Sequence, residues 1–116
     1  MQKIETWRVK ELSFVLEHLS ELLRKGDNYE WANVFFHFRT ESQNILLSKT
    51  FDVEQLKRLL QNIKNCFSRT STLNHLVLQR KGSADHARIN EDFQVMKARL
   101  LKILEDMEQR TVEHIH

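Results

Sequence analysis

The sequence predicts an all-α protein: a compact antiparallel bundle of four main helices with one short helical turn. Three observations lead there. The chain has no proline and only two glycines, Gly26 and Gly82, whereas strand-rich folds need many turn residues. Apolar residues recur at three- and four-residue spacing along most of its length, the period of an amphipathic helix. The breaks between these stretches are short and carry helix-start and helix-stop residues.

The first helix is predicted over about Ile4–Lys25. Leu12, Val15, Leu16, Leu19, Leu22 and Leu23 form one broad apolar stripe, which Trp7 and Phe14 extend or flank. Gly26 is expected to take the left-handed position that ends many helices, with Arg24 and Lys25 at the negative end of the helix dipole. Asp27 then restarts the chain, with Glu30 at capping-box spacing. The second helix spans about Asn28–Leu47 and places Trp31, Val34, Phe35, Phe38, Ile45 and Leu46 on its stripe. Ser42 interrupts that stripe, a small residue where another helix can approach closely. Phe36 falls off it, so this helix is expected to be covered on two sides.

Asp52 and Gln55 mark the start of a third helix, about Val53–Phe67. Its stripe of Leu56, Leu59, Leu60, Ile63 and Phe67 is the cleanest in the chain. The hydroxyl-rich residues 68–72 favour a turn over a helix interior. LNHLVL, residues 73–78, is read as the short helical turn, and residues 79–86 as a loop. Ser83 is placed to cap the last helix, about Ala84–Arg110. There Ile89, Phe93, Met96, Leu100, Ile103 and Met107 alternate in steps of four and three, and Leu101 and Leu104 widen the seam. Such a seam packs on neighbouring helices at a small angle. With 116 residues the chain reads as a single helical domain, 1–116, long enough to bury a core without metals or disulfides.

The composition, 41% apolar and 29% charged, suits a globular protein. No apolar run approaches the roughly 18 residues of a membrane span, and the first residues carry charges throughout. The expectation is a cytoplasmic protein with no membrane contact. Net charge is +2, but residues 49–88 hold eight basic and three acidic side chains. That basic middle could steer an acidic partner or touch nucleic acid. Solvated helix faces are the simpler reading. Lys57, Arg58, Lys64, Arg69, Arg80, Lys81 and Arg88 come with no recognition-helix motif and no interleaved aromatic platform, which argues against nucleic acid.

No catalytic or cofactor apparatus is visible. The six histidines, His18, His37, His75, His86, His114 and His116, include no pair at the one-turn spacing of a helical zinc site, and no HExxH is present. The lone Cys66 excludes an intrachain disulfide and reads as a small core residue. Glu105, Asp106 and Glu108 cluster in sequence on the outside of the last helix rather than converging as an acid–base pair. A phosphate-cradling glycine loop and a nucleophile elbow are both missing. The expectation is a non-enzyme without cofactors. In the dense aromatic run from Trp31 to Phe38, core packing is the ordinary reading. An exposed Phe36 or Tyr29 would instead serve as an interface anchor.

Over Phe67–Leu78, FSRTSTLNHLVL resembles a segment of a family of small bacterial helical proteins. Leu73, Asn74, Leu76, Val77 and Leu78 match, followed by a polar loop and a long amphipathic helix, and Trp31–Ala32–Asn33 is a second point of likeness. Arg69 and Ser71 stand where that family has turn glycines, and His75 where it has an acidic residue. In size and make-up such proteins are similar to the immunity proteins of contact-dependent inhibition and related toxin systems. The resemblance implies a protein partner, a cognate toxin domain expected to be a nuclease, whose active site the chain would cover. Nuclease immunity proteins are often acidic mimics of nucleic acid, and the basic middle here departs from that. The residues expected to meet the partner are Arg69, Asn74, His75, Arg80 and Lys81, the arginines gripping acidic groups bidentately and Asn74 orienting. A plain cap of a helical turn is an equal reading of Asn74. The alternative is a homo-oligomeric helical regulator or adaptor that uses the seam of the last helix.

Overall fold

Among the described residues the chain forms four α-helices: α1 (Thr6–Lys25), α2 (Tyr29–Leu47), α3 (Val53–Asn65) and α4 (His86–Ile115). The computed structural model describes residues 5–50, 52–68, 73, 76–78 and 86–115, with side chains for all of these except 86 and 111–115. Among the described residues there is no strand. α1 packs most extensively along α2 and next along α4, while α3 touches both α2 and α4. The ring of contacts closes into a four-helix bundle.

The tight connection 26–28 forces α2 to run antiparallel to α1. α4 is also antiparallel to α1, because Glu11 meets Arg99 at 3.9 Å while Trp7 and Arg8 share a cleft with Ile103 and Asp106. α1 is the central element, with apolar residues buried from Val9 through Leu23. Phe35, Leu59, Ile63, Phe93, Leu100 and Met107 enclose it from the other helices. Ser20 and Ser42 are buried as well, and each hydroxyl donates to a carbonyl of its own helix, Glu17 and Arg39, at 2.8 and 2.7 Å. These two hydroxyls thus enter the interior with a partner inside their own helix. The seam of α4 faces inward: Phe93, Leu100, Ile103 and Met107 are buried, and Ile89 and Met96 pack against the core. Leu104 widens it as expected, whereas Leu101 points outward, 42% exposed.

The turn between α1 and α2 departs from the sequence reading. Gly26 has φ −87°, and the left-handed residue is Asp27, φ 60°. The Asn28 N–H donates to the Leu23 carbonyl at 2.8 Å and the Asp27 N–H to the Arg24 carbonyl at 3.0 Å. This is a Schellman ending with Gly26 as the C-cap. Asp27 is occupied by that turn, so the cap of α2 passes to Asn28, whose Oδ1 accepts from the Trp31 N–H at 3.1 Å. Glu30 then sits one position too early for a capping box. Gly26 is required for a different reason. A Cβ there would stand 2.7 Å from the Leu78 Cβ. Left-handed backbone is strained for any residue with a Cβ, so Asp27→Gly is expected to stabilise the protein by about 0.5–1 kcal/mol, net of the added freedom of the unfolded chain. A midpoint rise in chemical denaturation checks this.

The cap of α3 follows the sequence, while Ser83, expected to cap the last helix, lies outside the described residues. Asp52 Oδ1 accepts from the Glu54 and Gln55 N–H groups at 3.0 and 3.2 Å. α3 stops at Asn65, with Cys66 as C-cap, before its predicted end at Phe67. α4 runs past Arg110 to Ile115, and no glycine or proline stands there to break it. At the start of α1, Glu5 makes no cap hydrogen bond. Its carboxylate accepts from Arg8 Nε at 2.6 Å instead, and that bond holds the carboxyl below its ordinary value.

Candidate functional site

The connection from α3 to α4, residues 66–85, differs in kind from the others. The first two connections, 26–28 and 48–52, are within the usual length for a helical bundle, whereas this one exceeds the about 12–15 residues beyond which irregular loops are commonly functional. Two points along it are built into the core. Leu73 is wholly buried and Leu78 is 1% exposed. The Leu76 N–H donates to the Leu73 carbonyl at 3.3 Å, the three-residue bond of a single tight turn. Asn90 of α4 grips the backbone of Leu78 from both sides: its Oδ1 accepts from the N–H at 2.6 Å and its Nδ2 donates to the carbonyl at 2.7 Å. A side-chain amide thereby supplies the pairing a neighbouring strand would give. Val77, between these anchors, is 64% exposed.

The residues expected from the sequence to meet a partner, Arg69, Asn74, His75, Arg80 and Lys81, lie outside the described residues. In sequence they flank or separate the anchors at Leu73 and Leu78. Asn90 was not legible as part of this site, since nothing in its helical neighbourhood distinguishes it from a solvent-facing amide.

Among the described residues, no group of three or more His, Cys, Asp or Glu side chains is placed to hold a metal ion. His37 pairs with Glu41 at 3.0 Å along α2, and His18 packs edge-on against Phe14. Cys66 is half-buried, and that burial raises its thiol above the ordinary cysteine value, the opposite of an activated nucleophile. Of the acidic trio on α4, Asp106 pairs with Lys102 at 3.4 Å and Glu108 with Lys64 at 3.1 Å. A cleft of about 200 Å³ lies between α1 and α4, walled by Trp7, Arg8, Glu11, Ile103, Asp106 and Met107. That is smaller than the roughly 300–1,000 Å³ of typical small-molecule sites. A second hollow, about 320 Å³, is walled by Glu21, Arg24, Lys25, Asp27 and Tyr29, all of them exposed.

The outer face of the α1–α2 pair is rich in uncovered apolar side chains. Trp7, Phe14, Tyr29 and Phe36 are each 46–56% exposed, and Leu47 is 83% exposed. Arginines lie against three of the rings: Arg8 on Trp7 at 4.5 Å, Arg39 on Phe36 at 5.5 Å and Arg99 on Phe14 at 5.8 Å. Aromatic and arginine side chains are the residue types that most often dominate protein interfaces. Tyr29 and Phe36 depart from the ordinary reading of this aromatic run as core, and with Phe36 exposed the expected cover on a second side of α2 is not seen there. Their exposure fits the alternative reading as anchors. Trp7 and Phe14 were missed as surface groups, although their seven-residue spacing away from the Leu12–Leu23 stripe was a usable signal.

Comparison with known protein families, with curated proteins and with solved structures finds no match to this chain. Among the described residues, no helix is long and apolar enough to cross a membrane.

Proposed function

We propose that the chain is a cytoplasmic immunity protein: it docks on a cognate bacterial toxin domain, expected to be a nuclease, and blocks it without performing chemistry itself. The observation that carries this reading is the anchored α3–α4 connection. Leu73 and Leu78 in the core and the Asn90 clasp fix two points of a long connection on the bundle, and scaffolds commonly carry binding loops on such supports. Arg69, Asn74, His75, Arg80 and Lys81 belong to that segment, and its arginines suit bidentate recognition of acidic groups. The alternative, a homo-oligomeric regulator, was to use the seam of α4, and that seam faces the core.

The test starts from the neighbouring gene, which the reading expects to encode a large secreted protein with a variable C-terminal toxin domain. The chain and that domain are expressed together and purified. The expected result is a stable complex with the toxin silenced. Combining Arg69→Glu and Arg80→Glu is expected to weaken that complex at least about tenfold, with helix content unchanged. Failure to associate at micromolar concentration overturns the proposal.

A further inference from the structure

Leu76, Val77 and Leu78 bear the marks of extended backbone. Their side chains alternate: Leu76 packs against the core, Val77 is 64% exposed and Leu78 is 1% exposed. A period of two residues belongs to a strand and not to a helix. The clasp agrees with it. Asn90 reaches the N–H and the C=O of one and the same residue, Leu78, at 2.6 and 2.7 Å. Those two groups point to one side of the chain where the backbone is extended, as in the hydrogen-bonded pair of an antiparallel sheet.

In extended backbone the polar groups alternate too, from one side of the chain to the other. With the Leu78 pair turned to α4, the N–H and C=O of Val77 look the opposite way. The Leu76 N–H is engaged by the Leu73 carbonyl, and both groups of Leu78 are engaged by Asn90. The N–H and C=O of Val77 make no hydrogen bond among the described residues. Val77 thus carries an open donor and an open acceptor side by side, between two leucines fixed in the core.

We infer that Val77 is the docking edge of the connection, and that an extended segment of the toxin domain pairs along it through N–H···O=C bonds to both groups. The chemistry selects the occupant. A carboxylate only accepts, and Lys or Arg only donates. A helix pairs its inner backbone groups within itself. Unpaired extended backbone offers donor and acceptor together, and adding a strand to an open edge is a recurring mode of peptide recognition. The Val77 side chain suits this, because β-branched residues pack well against cross-strand neighbours. Asn90 is the positioning residue. From the inner side it supplies the pairing of a neighbouring strand, and the outer side is left for the partner. The inference rests on the toxin reading and deepens it by naming the element of the toxin that the connection meets.

Amide hydrogen exchange of the full chain, free and saturated with the toxin domain, tests it without any substitution. In the free chain the Leu78 amide is expected to be protected and the Val77 amide to exchange like that of an unstructured peptide. In the complex, Val77 exchange is expected to slow at least about a hundredfold. Val77→Pro removes the donor and sets its ring on the open edge, where edge strands accept proline. It is expected to keep helix content and Tm and to raise the Kd for the toxin domain at least about thirtyfold. Val77→Thr keeps the N–H and the branched shape, and is expected to bind at least about tenfold more tightly than Val77→Pro. Asn90→Asp keeps an acceptor for the Leu78 N–H but has no donor for its carbonyl. It is expected to speed exchange at Leu78 and to weaken the complex about tenfold. A Val77 amide that stays unprotected in the saturated complex, or a Val77→Pro chain that binds like the parent, overturns the inference and leaves the toxin reading standing. Absence of any complex overturns both. Protection of Val77 that rises with chain concentration without toxin assigns the edge to a second copy and overturns the inference as well.

Discussion

Replacing Phe35 with alanine is expected to cost about 3–5 kcal/mol, the range for deleting a buried phenylalanine ring. Phe35 is wholly buried and stands at the centre of an aromatic cluster. Its ring centroid lies 5.8 Å from that of Phe38 at a right angle, 6.3 Å from Trp31 and 6.4 Å from Phe67, just past the C-cap of α3. Truncation therefore opens a cavity and removes three ring contacts at once, one of which ties α2 to α3. Small domains have only about 5–15 kcal/mol of stability, so a large part of the folded population is at stake. The adjacent Phe36 provides the contrast. It is 46% exposed, and Phe36→Ala is expected to stay within about 0.5 kcal/mol of the parent chain when the monomer is unfolded in denaturant. Urea unfolding followed by helix ellipticity and tryptophan fluorescence checks both. Equal costs at the two positions would refute the assignment of faces on α2.

Leu78→Ala is expected to cost about 2–5 kcal/mol, and its effect should depend on Gly26. Leu78 is 1% exposed, and its side chain fills the space over Gly26, where an added Cβ would meet Leu78 Cβ at 2.7 Å, Cδ2 at 3.0 Å and Cγ at 3.1 Å. Gly26→Ala is expected to cost about 1–3 kcal/mol by overpacking, with backbone strain contributing little at φ −87°. Removing Cγ and Cδ2 of Leu78 lets the segment recede from the new methyl. The double variant is therefore expected to lose less than the two single costs together, by about 0.5–3 kcal/mol. Additive losses would show that residue 78 does not press on the α1–α2 turn. Hydrogen exchange at the Leu78 amide, which donates to Asn90 Oδ1 at 2.6 Å, should accelerate in Leu78→Ala more than exchange within α1.

The candidate site was only partly legible. The aromatic run reads first as core and only second as a source of exposed anchors at Tyr29 and Phe36, yet both are exposed. Trp7 and Phe14 were assigned to the margin of the α1 stripe, and only the positions of α2 and α4 leave them outside. The role of Asn90 depends on a backbone group twelve residues away, beyond the reach of any helical pattern. Leu73 and Leu78 match the apolar character of the short turn, but their complete burial follows from the packing of α1, α2 and α4 around them.

What residue spacing and end signals established were the number of helices, their inner faces and the cap at Asp52. A helix closes its hydrogen bonds within four residues and a cap within three, so both are written in local sequence. The one-position shift from Asp27 to Asn28 marks the edge of that rule, where two overlapping end motifs compete for one residue. The pairing of α1 with α4, the inward turn of the α4 seam, the clasp on Leu78 and the bare stripes of α1 and α2 were settled by assembly. Burial is a property of surfaces brought together from distant parts of the chain, and a stripe on one helix does not state which neighbour will cover it.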